Sequence, residues 1–491
     1  MVGYASPTHC AMKPTAAFLS LCLLGVTLSS ADARTWTDAE TGRTIDAELV
    51  GVGEGEVQLK LKSGKVAKVA ISRLSKEDQA FLETAKVAAP AAVSGEWPGW
   101  RGPKRDNRSP DTGLLKEWPK DGPELLWTFK DGGTGYSCVS LVGGKLFFTG
   151  TRDGAAEIIC LDAANGKELW SSPIGPDKGK GYNTGWGGGP RGAVTIDDGL
   201  AYAMNANGDL VCVSAEDGSK QWSKSLVDDF GGAEPSWGFS ESPLVDGEKL
   251  IVTPGGDQGA IVALDKKTGK EIWRSKEVTD DAQYSSVTVA EVNGKRQYVQ
   301  LFMKKLVGVS AEDGELLWSA PWAAGRTAVI PTPIPHDGMV YMTAGYGSGS
   351  QLVKIDGAEA EVLWDNKVMK NHHGGVVLDE GHIYGFSDGG GLICQELKSG
   401  ERVWSEKGEG IQKGAVHYAD GMLYCVDEEE GSVFLVEATS DGFREKGRFP
   451  MPGKTKLRDG TQGKVWAHPV VIGGRLYLRD QDLLFCFDVK D

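Results

Sequence analysis

Seven short segments of the chain carry the residue types from which a binding or catalytic site could be built. They are rich in glycine, aromatic and charged residues, and they span 181–192, 234–243, 282–287, 324–333, 370–375, 411–416 and 465–470. Small-ligand sites are made of aromatic faces and a few convergent polar groups. The candidate ligand-binding residues in these segments are Trp186, Arg191, Trp237, Glu241, Tyr284, Arg326, His372, His373, Lys413, Trp466 and His468.

The adjacent pair His372 and His373 is the strongest hint of a metal site, since imidazole is a common metal ligand. Neighbouring residues of an extended strand point to opposite sides, however, and no cysteine or carboxylate stands at a useful spacing. The acidic run 427–430 could bind calcium, but it is more typical of a solvated hairpin tip. The chain also has no nucleophile elbow, P-loop or zinc-protease motif. We therefore predict no metal site and no catalytic residue.

A ten-residue pattern that must position these segments returns along the chain, and its cleanest copy is LDKKTGKEIW at 264–273. Each copy joins a short apolar strand to a second strand with a tryptophan, through an Asx/Gly turn. Further copies lie at 161–170, 213–222, 309–318, 355–364 and 395–404. The tryptophan positions are 40 to 52 residues apart. A period near 45 residues that holds about four strands is typical of a β-propeller blade.

Counting the strands at the tryptophan position predicts the number of blades. They carry Trp127, Trp170, Trp222, Trp273, Trp318, Trp364, Trp404 and Phe449. The first of these strands, 122–130, has no preceding half-repeat, and the chain ends on a half-repeat that lacks its second strand. We predict an all-β fold whose eight-bladed propeller spans 97–491 and is closed by strand 122–130. The seven segments enter the innermost strands, so they should meet on one face around the axis.

Residues 34–86 have a different sequence pattern. Short segments in which apolar and polar residues alternate predict strands, and they are followed by one helix that Ser75 and Asp78 would cap. This pattern predicts a small barrel-like β module, joined to the propeller by an Ala/Pro/Ser-rich linker at 87–96. The opening RTWTD and the ending ISRLSKEDQAFL resemble the SLA1 homology domain 1 family (SHD1). That resemblance implies an SH3-like fold and binding of proteins through short peptides. Trp36 could line a peptide groove or fill the core of the module.

The N-terminus predicts export. A 13-residue apolar run, Ala16 to Leu28, precedes a small-x-small cleavage pattern at 31–33, so 12–33 is interpreted as a signal peptide with Met12 as a possible start. Thirteen residues are too few to span a bilayer, and no other segment could do so. The net charge of −15 disfavours binding to nucleic acid or anionic lipid. We expect a bacterial periplasmic or envelope-associated protein.

The propeller repeat resembles the pyrroloquinoline-quinone-like (PQQ-like) repeat family. Some members of that family are quinoprotein dehydrogenases, and others bind no cofactor, such as a lipoprotein of the outer-membrane barrel-assembly machine. The dehydrogenases stack PQQ between a tryptophan and a disulfide of two adjacent cysteines, and they chelate calcium with acidic and amide groups. Here Trp237 or Trp466 could stack and Glu241 could supply a carboxylate, but the chain has no Cys-Cys pair.

These observations predict an exported, non-catalytic binding or scaffold protein without a cofactor. Its partners would be other proteins or peptides, or a small acidic ligand in an axial pocket. The acidic ligand is expected because Arg191, Arg326, His372, Lys413 and His468 would make a locally positive concavity in an acidic protein. The alternative is a quinoprotein dehydrogenase that uses PQQ with calcium.

Overall fold

The computed structural model describes residues 34–52, 55–62, 65–84, 93–177, 179, 181–322, 324–458 and 463–491. The chain divides into two compact units, residues 1–89 and 90–491. The predicted signal peptide, 12–33, and most of the predicted linker lie outside the described residues. Within the described ranges, no helix has both the length and the apolar character needed to cross a membrane.

The first unit is a four-stranded antiparallel meander followed by a 3-10 turn and one helix. Its strands are Arg34–Thr37, Thr44–Val52, Glu56–Leu61 and Val66–Ala70, the 3-10 turn is Ile71–Arg73 and the helix is Lys76–Thr84. Ser75 caps the helix as predicted, because its hydroxyl oxygen accepts from the Asp78 backbone N–H at 3.1 Å.

Trp36 belongs to the core of this unit. Its side chain is 1% exposed, and its indole N–H donates to the carbonyl of Ala47 at 2.9 Å. It packs with Ala47, Val57, Leu59 and Leu74. Of the two roles that the sequence left open for Trp36, the structure therefore favours the core over an exposed peptide groove.

The second unit is a propeller of eight blades, as predicted, and each blade is built on four antiparallel strands, which follow one another in sequence in the first seven blades. The strands of blades 1 to 4 are Ser140–Val142, Lys145–Arg152, Ala155–Asp162 and Glu168–Pro176; Thr195–Asp197, Leu200–Met204, Asp209–Ser214 and Lys220–Ser225; Leu244–Asp246, Lys249–Val252, Val262–Asp265 and Glu271–Arg274; and Thr288–Val292, Lys295–Leu301, Lys305–Ser310 and Leu316–Pro321. The strands of blades 5 to 8 are Ile334–His336, Met339–Ala344, Gly349–Asp356 and Glu359–Asn366; Val376–Asp379, His382–Ser387, Gly391–Glu396 and Arg402–Glu406; Gly414–Ala419, Met422–Asp427, Ser432–Glu437 and Glu445–Pro450; and Val470–Ile472, Arg475–Asp480, Leu483–Asp488 and Glu124–Phe129.

Strands from both ends of the chain form the eighth blade. Glu124–Phe129 pairs antiparallel with Leu483–Asp488, and Trp127 stands opposite Cys486. The ring is thus closed by hydrogen bonds between the N-terminal and C-terminal parts of the propeller, which leaves no open edge between the first and last blades.

The repeated glycine and tryptophan join most blades to the next one. Trp222 of blade 2 lies on the turn of blade 3, where a Cβ on Gly269 would stand 2.9 Å from the indole ring. The indole N–H of Trp222 donates to the carbonyl of Lys266 in the same turn, at 3.0 Å. Trp127, Trp170 and Trp364 repeat both contacts with the blades that follow them. The turn needs glycine because a side chain would displace the tryptophan.

Residues 97–109, which we call the axial arm, cross the propeller axis. Most of the arm is irregular, as its Pro and Gly content predicts, but Arg108–Ser109 adds a short parallel strand to blade 7. Buried Arg105 donates to the carbonyls of Ser242, Pro243 and Val287 in blades 3 and 4. These bonds satisfy the inner ends of strands that have no neighbour at the axis.

The arm also bonds to the other blades. Trp97 pairs with Leu141 of blade 1, and the carbonyl of Pro98 accepts from Ile196 of blade 2. Arg101 donates to Val376 of blade 6, and Asn107 donates to Val416 of blade 7. The arm therefore fills the centre of the ring from within.

Candidate functional site

An axial cavity of about 590 Å³ opens on the face where the segments entering the innermost strands meet. Every blade contributes to it, because in each blade the segment before the innermost strand reaches the axis on this face. Its lining comprises Trp100, Tyr136, Trp186, Arg191, Trp237, Ser240, Ser242, Tyr284, Ser286, Thr327, Ala328, Ile330, Tyr346, His372, His373, Lys413, Glu428, Glu429, Lys464, Trp466 and His468.

The structure brings most of the predicted site residues together and leaves two out. Trp186, Arg191, Trp237, Tyr284, His372, His373, Lys413, Trp466 and His468 line the cavity. Glu241 is outside the lining: its buried carboxylate accepts from the Thr253 N–H and hydroxyl at 2.7 and 3.0 Å. Arg326 is exposed and also lies outside the lining. Glu241 thus bonds backbone and side chain between blades 3 and 4, where burial raises its pKa to about 7.

One wall of the cavity is a column of stacked rings. His372 stacks on His373 with ring centroids 3.8 Å apart, and His373 stacks on Trp466 at 4.2 Å. Tyr346 meets His372 edge-on at 4.4 Å, and Tyr136 lies 5.1 Å from Trp466. A second wall is the pair of Trp237 and Tyr284, whose rings are 6.0 Å apart. These walls offer apolar faces with polar edges.

The histidines of the cavity are neutral near physiological pH. Burial lowers the pKa of His372 and of His373 to about 3, and that of His468 to about 4. The neighbouring positive charge of Lys413 adds to this effect at His372 and His373. Neither His372 nor His468 therefore adds positive charge to the concavity, because burial disfavours the charged form of an imidazole.

The cations of the cavity differ in whether an acid neutralises them. Lys413 forms an ion pair with Asp388 at 3.0 Å, and Lys464 forms one with Glu429. Arg191 has no acidic partner among the described residues; its guanidinium donates to the carbonyls of Gly187 and Gly189 at 3.2 and 3.1 Å. Among the cations of the lining, Arg191 is therefore the one whose positive charge no acid of the described residues neutralises.

Arg191 lies among the tyrosines of the cavity. Its guanidinium carbon is 5.8 Å from the ring centre of Tyr136 and 5.3 Å from that of Tyr182. Burial raises the pKa of Tyr136 and of Tyr284, and the charge of Arg191 opposes that rise in both. The positive charge of Arg191 therefore affects the pKa of tyrosines from two different parts of the lining.

Glycines shape the loop that carries Trp186 and Arg191. Gly187 and Gly189 have φ values of 98° and 90°, in the region that favours glycine. A Cβ on Gly187 would lie 1.9 Å from the hydroxyl of Tyr136. That hydroxyl donates to the carbonyl of Trp186 at 2.9 Å, and the Trp186 side chain is 52% exposed at the mouth. The glycine-rich sequence lets the loop pass close to Tyr136 while it presents Trp186.

Two strained residues also line the cavity. Thr327 and Tyr346 have φ values of 56° and 53°, although a β-branched or bulky residue rarely adopts positive φ. Tyr346 is held by its backbone N–H, which donates to Asp388 at 3.0 Å, and its side chain is 42% exposed. Such strain persists where the surroundings enforce it, and it concentrates at functional sites.

Sequence reasoning missed several residues of the lining. Tyr136 precedes the innermost strand of blade 1, so the same rule that selected the other segments would have found it. Tyr346 and Glu428 lie in hairpins between the second and third strands, which reach the same face. Glu428 is buried and accepts from the Trp466 indole N–H at 3.0 Å, so the run 427–430 is not simply a solvated tip. Trp100 of the axial arm gave no periodic signal.

Two families match the chain. The profile of the family described as outer membrane protein assembly factor BamB, a PQQ-like repeat family, matches residues 154–406. The profile of SLA1 homology domain 1 matches residues 29–88. Both resemblances predicted from the sequence are confirmed.

Individual relatives and solved structures are also similar to the propeller part of the chain. The chain is 24% identical to outer membrane protein assembly factor BamB of Burkholderia pseudomallei (strain K96243), over 77% of this chain and 91% of the relative. The crystal structure of BamB from Moraxella catarrhalis has a TM-score of 0.50 at 16% identity, over 72% of this chain and 94% of that chain. Quinohemoprotein alcohol dehydrogenase ADHIIG from Pseudomonas putida HK5 has a TM-score of 0.57 at 14% identity, over 82% and 83%. These structures share the propeller fold with this chain.

The cavity does not fit PQQ with calcium. The described cysteines, Cys138, Cys160, Cys212, Cys394, Cys425 and Cys486, are buried free thiols, and none lines the cavity. The acids at or near it already have partners: Glu428 accepts from Trp466, Glu429 pairs with Lys464, and Asp388 pairs with Lys413. Among the described residues, no three His, Cys, Asp or Glu side chains are placed to hold a metal ion.

Proposed function

The chain belongs to the family described as outer membrane protein assembly factor BamB, and from that membership we propose that it is an exported, non-catalytic scaffold of the bacterial cell envelope that binds a partner protein. The face that bears the axial cavity would be its binding face. The sequence pattern at 12–33 supports export. The SLA1 homology domain 1 match supports a second protein-binding element in the first unit.

The observation that carries this proposal is the convergence of all eight blades on one aromatic cavity. Trp186 and Tyr346 expose large aromatic surfaces at its mouth, and exposed apolar surface of this kind marks binding sites. The acids of the lining, Glu428 and Glu429, are each engaged by a neighbouring side chain. This arrangement supports binding rather than catalysis.

A photo-cross-linking experiment tests the binding face. Trp186 is replaced by p-benzoylphenylalanine in the full-length chain, which is expressed in its native host and irradiated. Asn293 is the matched control position, since it is an exposed hairpin residue at the opposite end of an innermost strand. We expect a discrete adduct in the envelope fraction from position 186 and none from position 293. A cytosolic protein, no adduct, or equal adducts at both positions would contradict the proposal.

A second measurement addresses catalysis directly. Purified protein is incubated with PQQ and calcium, and then assayed for a bound chromophore and for alcohol-dependent dye reduction. We expect neither, because the cavity lacks the stacking disulfide and a free carboxylate for calcium. A stoichiometric chromophore that supports turnover would make the protein a quinoprotein dehydrogenase.

A further inference from the structure

The axial arm bounds the axial cavity on the side away from its open face. Beneath it the axial arm bonds to blades on every side, and Trp100 of the arm forms part of the lining. The indole N–H of Trp100 donates to Thr332 at 2.8 Å, and its ring lies 4.7 Å from that of His468. A polypeptide that enters from the open face therefore cannot thread through the ring. Only the end of a chain, or a short tip, can be accommodated.

The charge of the cavity distinguishes the two ends of a chain. Arg191 is the cation of the lining without an acidic partner among the described residues, and three of its five guanidinium N–H groups remain available after its two bonds to loop carbonyls. A carboxylate is its natural complement, because guanidinium groups bind carboxylates through paired, charge-assisted hydrogen bonds.

An amino terminus finds no such complement. Glu429 is paired with Lys464, and Asp388 is paired with Lys413. Glu428 is buried, accepts from the Trp466 indole, and has a pKa that burial raises above its usual value. The acids of this region are thus engaged, and an ammonium group would meet Arg191 instead.

The aromatic rings of the cavity indicate which kind of side chain would suit the terminal residue of a bound chain. The Trp237–Tyr284 wall and the His373–Trp466 wall both present aromatic faces, and Trp186 adds an exposed ring at the mouth. Aromatic side chains gain from such neighbours beyond the area they bury. The volume of about 590 Å³ is in the range of cavities that hold a drug-sized ligand, which suits a few terminal residues.

We propose that the axial cavity binds the carboxyl-terminal end of a partner polypeptide, with the terminal carboxylate on Arg191 and an aromatic last side chain against the rings of the two walls. This inference rests on the proposed function, because it names the part of the partner protein that the binding face takes up.

The test uses full-length protein and fluorescein-labelled hexapeptides in fluorescence anisotropy. The first peptide ends in phenylalanine with a free carboxylate, the second is its C-terminal amide, and the third ends in alanine with a free carboxylate. We expect the first to bind at least about tenfold more tightly than either of the others, which is the usual effect of a charge-assisted hydrogen bond or a buried aromatic ring.

Two substitutions of the same type locate the charge. Arg191→Gln should remove the preference for the free carboxylate over the amide. Arg326→Gln makes the same change in an exposed residue outside the lining, and it should keep that preference. The melting temperature of each variant is measured, and Arg191→Lys, which keeps the charge but not the paired geometry, should retain part of the preference.

Each outcome decides the inference. Equal binding of acid and amide, no binding of either, or a preference that survives Arg191→Gln would overturn it. Tight binding of the peptide ending in alanine would overturn the aromatic part. Binding of glucuronate but of no peptide, lost in Arg191→Gln, would assign the cavity to a sugar acid instead. If cross-linking at position 186 succeeds while the peptides fail, only this inference falls; if cross-linking fails as well, the proposed function falls with it.

Discussion

Four histidines lie around the axis, and the pKa of each is well below its usual value. Besides His372, His373 and His468 in the cavity, His417 is buried beneath it and lies 5.0 Å from the ring of Trp97. Its two ring nitrogens face the Asn107 side chain and the Val471 backbone N–H, at 3.0 and 3.3 Å. Burial is the main cause that lowers the pKa of His417 to about 3, and the charge of Arg101 acts in the same direction.

This depressed pKa predicts a pH dependence of stability. Between about pH 6.5 and pH 3 the unfolded chain binds a proton at His417 that the folded chain does not, so the free energy of unfolding falls as the pH is lowered. Replacing His417 with glutamine removes this contribution. We expect the loss of stability of the variant between pH 6 and pH 5 to be smaller than that of the wild type by about 1 kcal/mol.

Urea unfolding at a series of pH values measures this difference. His336→Gln, the same change at an exposed histidine, is the control. An unchanged slope in His417→Gln would mean that the folded protein takes up the proton at this site.

At the scale of the element, the Asx/Gly turn between the third and fourth strands is a docking surface for a tryptophan of the preceding blade. Gly314 of blade 4 has a φ of 78°, and a Cβ there would stand 2.4 Å from the ring of Trp273. Gly294, in another turn of the same blade, has a φ of 74° and no atom near the position of a Cβ. The two glycines differ in their neighbours and not in their backbone.

This pair allows the contact to be measured apart from the backbone cost. Gly294→Ala should destabilise the protein by about 1 kcal/mol, which is the cost of a side chain at positive φ. Gly314→Ala should cost a further 1–3 kcal/mol or so, because the methyl group displaces Trp273 from a packed site. Denaturant unfolding compares the two variants, and equal losses would show that the tryptophan contact contributes nothing to stability.

At the scale of the whole molecule, the ring depends on a single pairing between the two ends of the propeller. Gly122 completes the pattern, since a Cβ there would lie 2.6 Å from Phe449 of blade 7, as other repeat glycines lie on tryptophans. The N-terminal segment thus supplies both the outer strand of the eighth blade and the glycine that the seventh blade requires.

Deleting residues 122–130 should therefore open the ring. The strand Leu483–Asp488 would lose its partner, and unpaired strand edges template association, so we expect oligomeric or insoluble protein. Size-exclusion chromatography and thermal melting check this. Deleting residues 34–84 is the control, and it should leave the main melting transition in place because residues 90–491 form a compact unit of their own. A monomeric 122–130 deletion variant with the melting temperature of the wild type would exclude closure as a source of stability.

The sequence by itself determined the propeller, the number of blades and the face on which a site would form. These follow from local rules: a turn such as Thr268-Gly269 and a tryptophan at a fixed offset recur, and most copies place the tryptophan on the turn glycine of the next blade. The position of a segment within its repeat then fixes which end of the sheet it reaches. For that reason nine of the candidate residues named from the sequence lie in the lining of the cavity.

Only the tertiary structure decided the charge and the floor of the cavity. Burial of His372 and pairing of Lys413 with Asp388 depend on side chains from different blades, and no spacing in the sequence records them. The axial arm has no repeat and no periodicity, so its path through the ring, and the place of Trp100 beneath the cavity, follow from hydrogen bonds to strand ends that exist only once the blades have assembled. Contacts that recur from repeat to repeat can be predicted from a single sequence. Contacts between segments that do not repeat form only when the blades have closed into a ring, so the sequence pattern does not predict them.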